Sequence, residues 1–295
     1  MAAAGILLVD KPAGITSHDV VARARRALGT RKIGHAGTLD PMATGLLVLG
    51  VEGATRLLTF IVGLDKTYTA SIRLGVATDT DDADGQAVAA TDASSLASAA
   101  IHAAIAPLTG RISQVPSTYS AIKVDGRRAY DLARAGEEVE LKAREVTVSR
   151  FEVLAERREA EVVDLDVVVD CSSGTYIRSL ARDLGSALGV GGHLTALRRT
   201  CIGPFDVTDA ARVEEIGDRP LIAPAEVAAS VLGRFDVTAD EARDLRHGKR
   251  LAGAAARLEH ERAAAIDPSG TLVGIVGGRG SDVKSIMNMP EEAPR

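Results

Sequence analysis

Asp40 lies in GHAGTLDPMATGLLVLG, residues 34–50, with four glycines in the segment and Pro41 directly after it. Glycines let a main chain turn tightly and approach a ligand, and proline fixes the backbone. The segment therefore describes a tight loop that holds one carboxylate at a set angle. The same Asp-Pro pair is also an ordinary turn initiator, and the residues alone leave both readings open. Tyr68 stands in KTYTASIRL, residues 66–74, as either a core-facing ring or a stacking platform. Arg178, in SSGTYIRSLARDLG, has a surface ion pair as its simplest role. No GxxxxGK(S/T), HExxH or HxH occurs, and Gly189, Gly191 and Gly192 do not fit GxGxxG. Neither a metal nor a nucleotide cofactor is expected. The acidic run Asp79, Asp81, Asp82 and Asp84 before Gly85 resembles a calcium loop, but the register set by that glycine puts Thr80 first and Thr91 last. A solvated acidic turn is expected there. Cys171 and Cys201 have no cysteine near them and read as small buried hydrophobes.

The elements that must position these residues follow from periodicity and capping. Residues 5–9 read as a buried strand. Thr16 or Ser17 then caps a helix running through Leu28 to Gly29, and a loop follows over 30–44. Residues 66–74 alternate, with Tyr68, Ala70, Ile72 and Leu74 on one face. Residues 161–171 do the same with Val163, Leu165, Val167 and Val169. Helices are expected over 54–62, 95–108, 127–135, 176–188, 224–232 and 239–247, and further strands over 146–154, 196–202, 264–267, 272–276 and 283–287. Strands with one polar face suit an antiparallel or mixed sheet better than a parallel one. The expected class is mixed α/β (α+β) with a large mixed, mainly antiparallel sheet. Composition shifts after Leu232, where the remaining residues suffice for a small accessory module.

The 295 residues suggest one large domain plus an appendage. With 35 Lys and Arg against 40 Asp and Glu, the net charge of −5 argues mildly against nucleic acid. The distribution argues the other way. Arg23, Arg25, Arg26, Arg31 and Lys32 fall within residues 20–39 with no acidic residue among them, and Lys123, Arg127, Arg128 and Arg134 form a second cluster. The N-terminal apolar run is too short for a signal peptide and no stretch could span a bilayer, so a cytoplasmic protein with no membrane partner is expected. No amphipathic stripe asks for a partner, and a monomer is expected.

GHAGTLDPMATG closely resembles the active-site motif of the B-type tRNA pseudouridine synthases, the family that modifies uridine 55 of the tRNA T loop. The resemblance continues through LLVDKPAGITSHDVV (residues 7–21), KTYTASIRLGVATDTDDADG (66–85), SSGTYIRSLARDLG (172–185) and GGHLTALRRTCIGPF (191–205). VPSTYSAIKVDGRRAYDLARAG (115–136) is similar to the family's thumb insertion. The resemblance implies a pseudouridine synthase fold over 1–232 with a thumb-like insertion at about 114–144, and a PUA-like RNA-binding module over 233–295. By matched position it makes Asp40 the catalytic aspartate, Arg178 its ion-pair partner and Tyr68 the ring against the target base. Tyr176, Lys66 and Leu197 line the pocket, and His35 fills the space left by a flipped nucleotide. Arg23, Arg31, Lys32, Lys123 and Arg127 become contacts to the RNA backbone. The chemistry breaks the bond from uracil N1 to the ribose and rejoins the base through C5. It imports no group and so implies no cofactor. The carboxylate either traps an electron-poor C1′ or removes a sugar proton, and the sequence does not choose. A guide-RNA-dependent relative shares the Asp40 motif. The thumb-like insertion and the absence of Lys-rich tails favour the stand-alone type, acting on the tRNA T arm with no guide RNA. A non-catalytic RNA chaperone is the other rival, without support from any residue.

Overall fold

The computed structural model describes residues 3–119, 123–124, 127–128 and 141–290. In chain order the elements are β1 (Gly5–Lys11), α1 (Ser17–Ala27), β2 (Ile33–Ala36), β3 (Thr44–Val51), α2 (Leu58–Ile61), β4 (Lys66–Leu74), β5 (Val76–Thr78) and β6 (Ala87–Ala90). There follow α3 (Ser98–Ile105), β7 (Gly110–Gln114), β8 (Lys123–Val124), β9 (Arg127–Arg128), β10 (Arg144–Glu159), β11 (Val162–Cys171), α4 (Ile177–Ala187) and β12 (Gly192–Ile202). The last are β13 (Phe205–Asp206), β14 (Ala211–Arg212), α5 (Pro224–Leu232), β15 (Arg234–Asp236), α6 (Ala239–Arg246), β16 (Arg262–Ile266), β17 (Leu272–Arg279) and β18 (Asp282–Asn288). The chain is α+β, with a large mixed sheet that is mainly antiparallel.

One compact unit comprises residues 1–41, 45–63 and 203–295. Helix α1 begins where Thr16 closes a capping box: its hydroxyl accepts from Asp19 N at 3.1 Å and Asp19 Oδ2 accepts from Thr16 N at 2.8 Å. Arg25 and Arg26 sit in the last turn, where the helix dipole favours cations. Val20, Val21 and Ala24 then bury against Leu7, Val9, Leu47 and Leu49. β1 pairs antiparallel with β3 and parallel with β14, and β2 lies antiparallel to β3. The loop expected over 30–44 is thus interrupted by β2, and GLLVLG, read as part of the loop motif, is strand. β3 is buried along both faces from Gly45 onward, so its apolar run is continuous and lacks the alternation that betrays a half-buried strand. Gly50 is required there, because a Cβ would stand 2.9 Å from Thr55 Cα. After Leu232, β15 to β18 form a four-stranded sheet whose core includes Phe235, Leu245, Ala265, Val273 and Val283.

The second unit comprises residues 42–44 and 64–202. β4 lies between β11 and β12, antiparallel to both, and β10 and β7 continue beyond β11. The expected alternation is present: Lys66, Tyr68, Ala70, Ile72 and Leu74 are buried while the residues between them are half-buried. The helix expected over 127–135 is corrected at its start, because Arg127–Arg128 form a short strand against Lys123–Val124. The rest of it, residues 129–135, lies outside the described residues. The helix expected over 54–62 is a 3-10 segment, Glu52–Leu57, followed by the single turn α2.

Candidate active site

The candidate residues fall into two groups, one in each unit. In the first, half-buried Asp40 follows β2 in a short loop that Gly37 opens with a φ of 88°. Its two neighbours are fixed by the segment of residues 7–21. The buried Ser17 hydroxyl donates to Leu39 O at 3.2 Å and accepts from Leu39 N at 2.9 Å, so the residue before Asp40 is held at both polar atoms. On the other side Pro41 O accepts from Gly14 N at 2.9 Å and from Lys11 Nζ at 3.2 Å. Lys11 is fully buried, and its ammonium also donates to Ile15 O at 2.7 Å and Pro12 O at 3.0 Å. The chain entering and leaving Asp40 is thereby pinned, as a preorganised carboxylate requires. His35 lies on β2 opposite Leu49, its ring edge-on to His18 at 5.7 Å.

In the second unit Tyr68 lies on the central strand, opposite Val169 of β11 and Arg199 of β12, with 7% of its surface exposed. Two residues away, Lys66 is equally buried and donates to Leu64 O at 2.6 Å. Burial, and then the nearby Arg199 charge, bring the Lys66 ammonium down to about 8, and burial pushes the opposing Cys171 thiol up to about 11. Leu197 is buried on β12 opposite Ala70. Tyr176 is the N-cap residue of α4, and the buried Gln114 grips its backbone at both ends: Oε1 accepts from Tyr176 N at 2.9 Å, and Nε2 donates to Tyr176 O at 3.1 Å.

Arg178 follows in the first turn of α4 and is 4% exposed. Its Nη1 donates to Thr80 O at 2.9 Å and lies 3.4 Å from both Asp82 Oδ2 and Ser117 Oγ, while Nη2 donates to Tyr119 O at 2.9 Å. One helical turn on, Arg182 meets Asp81 Oδ2 at 3.4 Å. The acidic turn expected to be solvated is therefore corrected. Asp81 and Asp82 are 7% and 5% exposed and serve as buried counter-ions to the arginines of α4. Burial raises the Asp81 carboxyl above its ordinary range, against the opposing pull of Arg182.

Of the residues expected at the RNA backbone, Arg23 is half-buried and Arg31 and Lys32 are exposed, Lys32 standing 3.6 Å from Glu52. Arg25, Arg26, Gly29, Thr30 and Arg31 line a depression of about 530 Å3. Lys123 and Arg127 lie on the small hairpin of β8 and β9, with Arg127 exposed. Among the described residues, no group of three His, Cys, Asp or Glu could hold a metal ion, and no helix is long and apolar enough to cross a membrane. The sequence does not mark Lys11, Ser17, Asp81, Asp82 or Gln114 as supports of these residues. A lysine ending the apolar run ILLVDK is the one signal that local sequence offered for any of them.

Residues 25–177 match the family model described as TruB family pseudouridylate synthase (N terminal domain). Residues 178–235 match that of the tRNA pseudouridylate synthase B C-terminal domain, and 232–290 that of tRNA pseudouridine synthase II, C terminal. A tRNA pseudouridine synthase B of Leifsonia xyli subsp. xyli is 56% identical, over 99% of this chain and 98% of its own. One of Rhodococcus jostii is also 56% identical, over 96% and 93%. A chain in the solved structure of an H/ACA RNP bound to a substrate RNA containing 2'-deoxyuridine shares the fold, with a TM-score of 0.70 and 24% identity over 97% of this chain and 85% of that one.

Proposed function

Since the chain belongs to the TruB family of pseudouridylate synthases, we propose that it converts uridine 55 in the T loop of tRNA to pseudouridine, with Asp40 as the essential carboxylate. The observation that carries this reading is the pinning of Leu39 and Pro41 on either side of Asp40. In the reaction the bond from uracil N1 to C1′ breaks, the freed base turns, C5 bonds to C1′, and the proton on C5 leaves as N1 gains one. Asp40 acts on the ribose, as a trap for C1′ or as a base. The base flips out of its stack at a cost of a few kcal/mol, and stacking on Tyr68 offsets about 1–3 kcal/mol of it. Arg178 pairs with Asp40 and favours its ionised form through a charge-assisted hydrogen bond. Tyr176, Leu197 and Lys66 line the pocket, and His35 fills the gap left in the RNA. Arg23, Arg31, Lys32, Lys123 and Arg127 hold phosphates, which position the RNA without reading its sequence.

In this reading residues 1–232 are the catalytic domain with a thumb-like insertion at about 114–144, and 233–295 are a PUA-like RNA-binding module. The enzyme works as a monomer in the cytoplasm, with no cofactor, metal or guide RNA. Incubating the purified protein with an unmodified tRNA transcript tests this. Pseudouridine is expected at position 55 with no other RNA or protein added; product elsewhere, or only when a guide RNA is supplied, refutes it.

A further inference from the structure

Arg182 lies four residues after Arg178, on the same face of α4, and its guanidinium spans two segments of the second unit. Nη2 donates to Val115 O at 2.7 Å and Nη1 meets Asp81 Oδ2 at 3.4 Å, while Nε is oriented by Asp183 Oδ1 at 2.9 Å. Asp81 is itself tightly placed. Its backbone is left-handed at φ 62°, a conformation that costs a non-glycine residue energy, and its carbonyl accepts from Leu194 N of β12 at 3.0 Å. Val115 opens the segment whose next residues, Ser117 and Tyr119, supply two of the groups around the Arg178 guanidinium. Ser117 is fully buried, and its hydroxyl also donates to Thr80 O at 3.4 Å, the carbonyl that Arg178 uses.

We propose that Arg182 and Asp81 are a positioning pair for the reaction: by fixing Val115 they place Ser117 and Tyr119, and through these the guanidinium of Arg178. The proposal rests on the reading of Arg178 as part of the active site. The charged groups facing Asp81 are Arg182, Arg178 and Asp183 of α4, with Asp82 beside it in the turn. On β12, His193 is engaged with Val76 O at 2.8 Å. Because burial holds the Asp81 carboxyl above the ordinary range, it takes up a proton at a higher pH than an exposed aspartate. Protonation removes the charge that orients Arg182.

The test compares wild type, Arg182→Gln, Arg182→Lys, Asp81→Asn and the Arg182→Gln/Asp81→Asn double variant in pseudouridine formation on a tRNA transcript across pH. Arg182→Gln and Asp81→Asn should each lower kcat by on the order of 10- to 100-fold, the scale of a small misplacement, with KM within about threefold of wild type. The double variant should be no worse than either single. Wild-type kcat should show an acid-side step that both single variants lose. Arg182→Lys should keep the step, because the charge pairing survives, while losing part of the rate with its fork. A merely structural role would leave the step in place in Asp81→Asn, and that result overturns the proposal. So do a kcat for Arg182→Gln within twofold of wild type, and additive losses in the double variant. Hydrogen exchange at the amides of Ser117, Thr118 and Tyr119 needs no substrate: faster exchange in Arg182→Gln is expected, and unchanged exchange overturns the hold on Val115. A wild type that forms no pseudouridine would refute the functional reading while the exchange comparison still decides the structural one.

Discussion

Replacing Ser17 with alanine removes one oxygen that serves two buried hydrogen bonds, to Leu39 O at 3.2 Å and from Leu39 N at 2.9 Å. If the loop keeps its place, both Leu39 groups are left unsatisfied at about 1–3 kcal/mol each, or roughly 2–4 kcal/mol together once one partly relaxes. The alternative is for the loop to move until Leu39, now 4% exposed, reaches water, which forfeits about 1.5–3 kcal/mol of apolar burial. The two costs are comparable, so the variant divides between a strained loop and a displaced one. Asp40 is the next residue, and a displacement of about 1 Å at a reacting group costs about 100-fold in rate. Urea denaturation with single-turnover pseudouridine formation reads both branches. The expected result is a loss of about 1.5–3 kcal/mol in unfolding free energy, a single-turnover rate lower by at least about 10-fold, and unchanged tRNA affinity. A variant within about 0.5 kcal/mol and twofold of wild type would refute the claim that this contact holds Asp40 in place.

The buried Lys66 makes stability depend on pH in a stated direction. Its ammonium titrates at about 8 in the folded chain against 10.5 for a free lysine, so between those values the unfolded chain holds a proton that the folded chain has lost. The contribution of Lys66 to stability is therefore least favourable and constant below pH 8, and improves as pH rises toward 10.5. Lys66→Met should be more stable than wild type by roughly 2–3 kcal/mol at pH 7, with the advantage fading by about pH 10, in urea titrations. An advantage independent of pH contradicts this assignment. For the arginine-lined depression, exchanging Arg25, Arg26 and Arg31 together for glutamine should weaken tRNA binding and flatten its salt dependence by about 2 to 3 in log–log slope, with kcat unchanged. An unaltered slope in filter binding would remove the depression from the RNA interface.

Strand β4 is legible in the sequence because one of its faces is buried and the other half-buried, which writes itself as alternation from Lys66 to Leu74. Helix α1 is legible for a local reason as well, since Thr16 and Asp19 carry its capping box. β3 is not, because a strand buried on both faces reads as an apolar run, and here that run follows directly on a glycine-rich loop. The role of Asp81 and Asp82 is hidden for a different reason. Four aspartates in six residues look solvated until two arginines, one helical turn apart and about a hundred residues later, are folded against them. Asp40 stands out in its segment, but the oxygen and ammonium that pin its neighbours belong to Ser17 and Lys11, whose side chains advertise a helix start and a solvated charge. The family resemblance marks the proposed carboxylate, while little in the local sequence marks what holds it.

The most direct test of the account replaces Asp40 with asparagine, which keeps the shape and removes the charge. Wild type and Asp40→Asn protein would be incubated with the same unmodified tRNA transcript, the pseudouridine positions mapped, and tRNA binding measured alongside. With Asp40 as the essential carboxylate, pseudouridine is expected at position 55 with the wild type and none with Asp40→Asn, at tRNA affinity within about threefold of wild type. Substantial pseudouridine formation by Asp40→Asn would contradict that role.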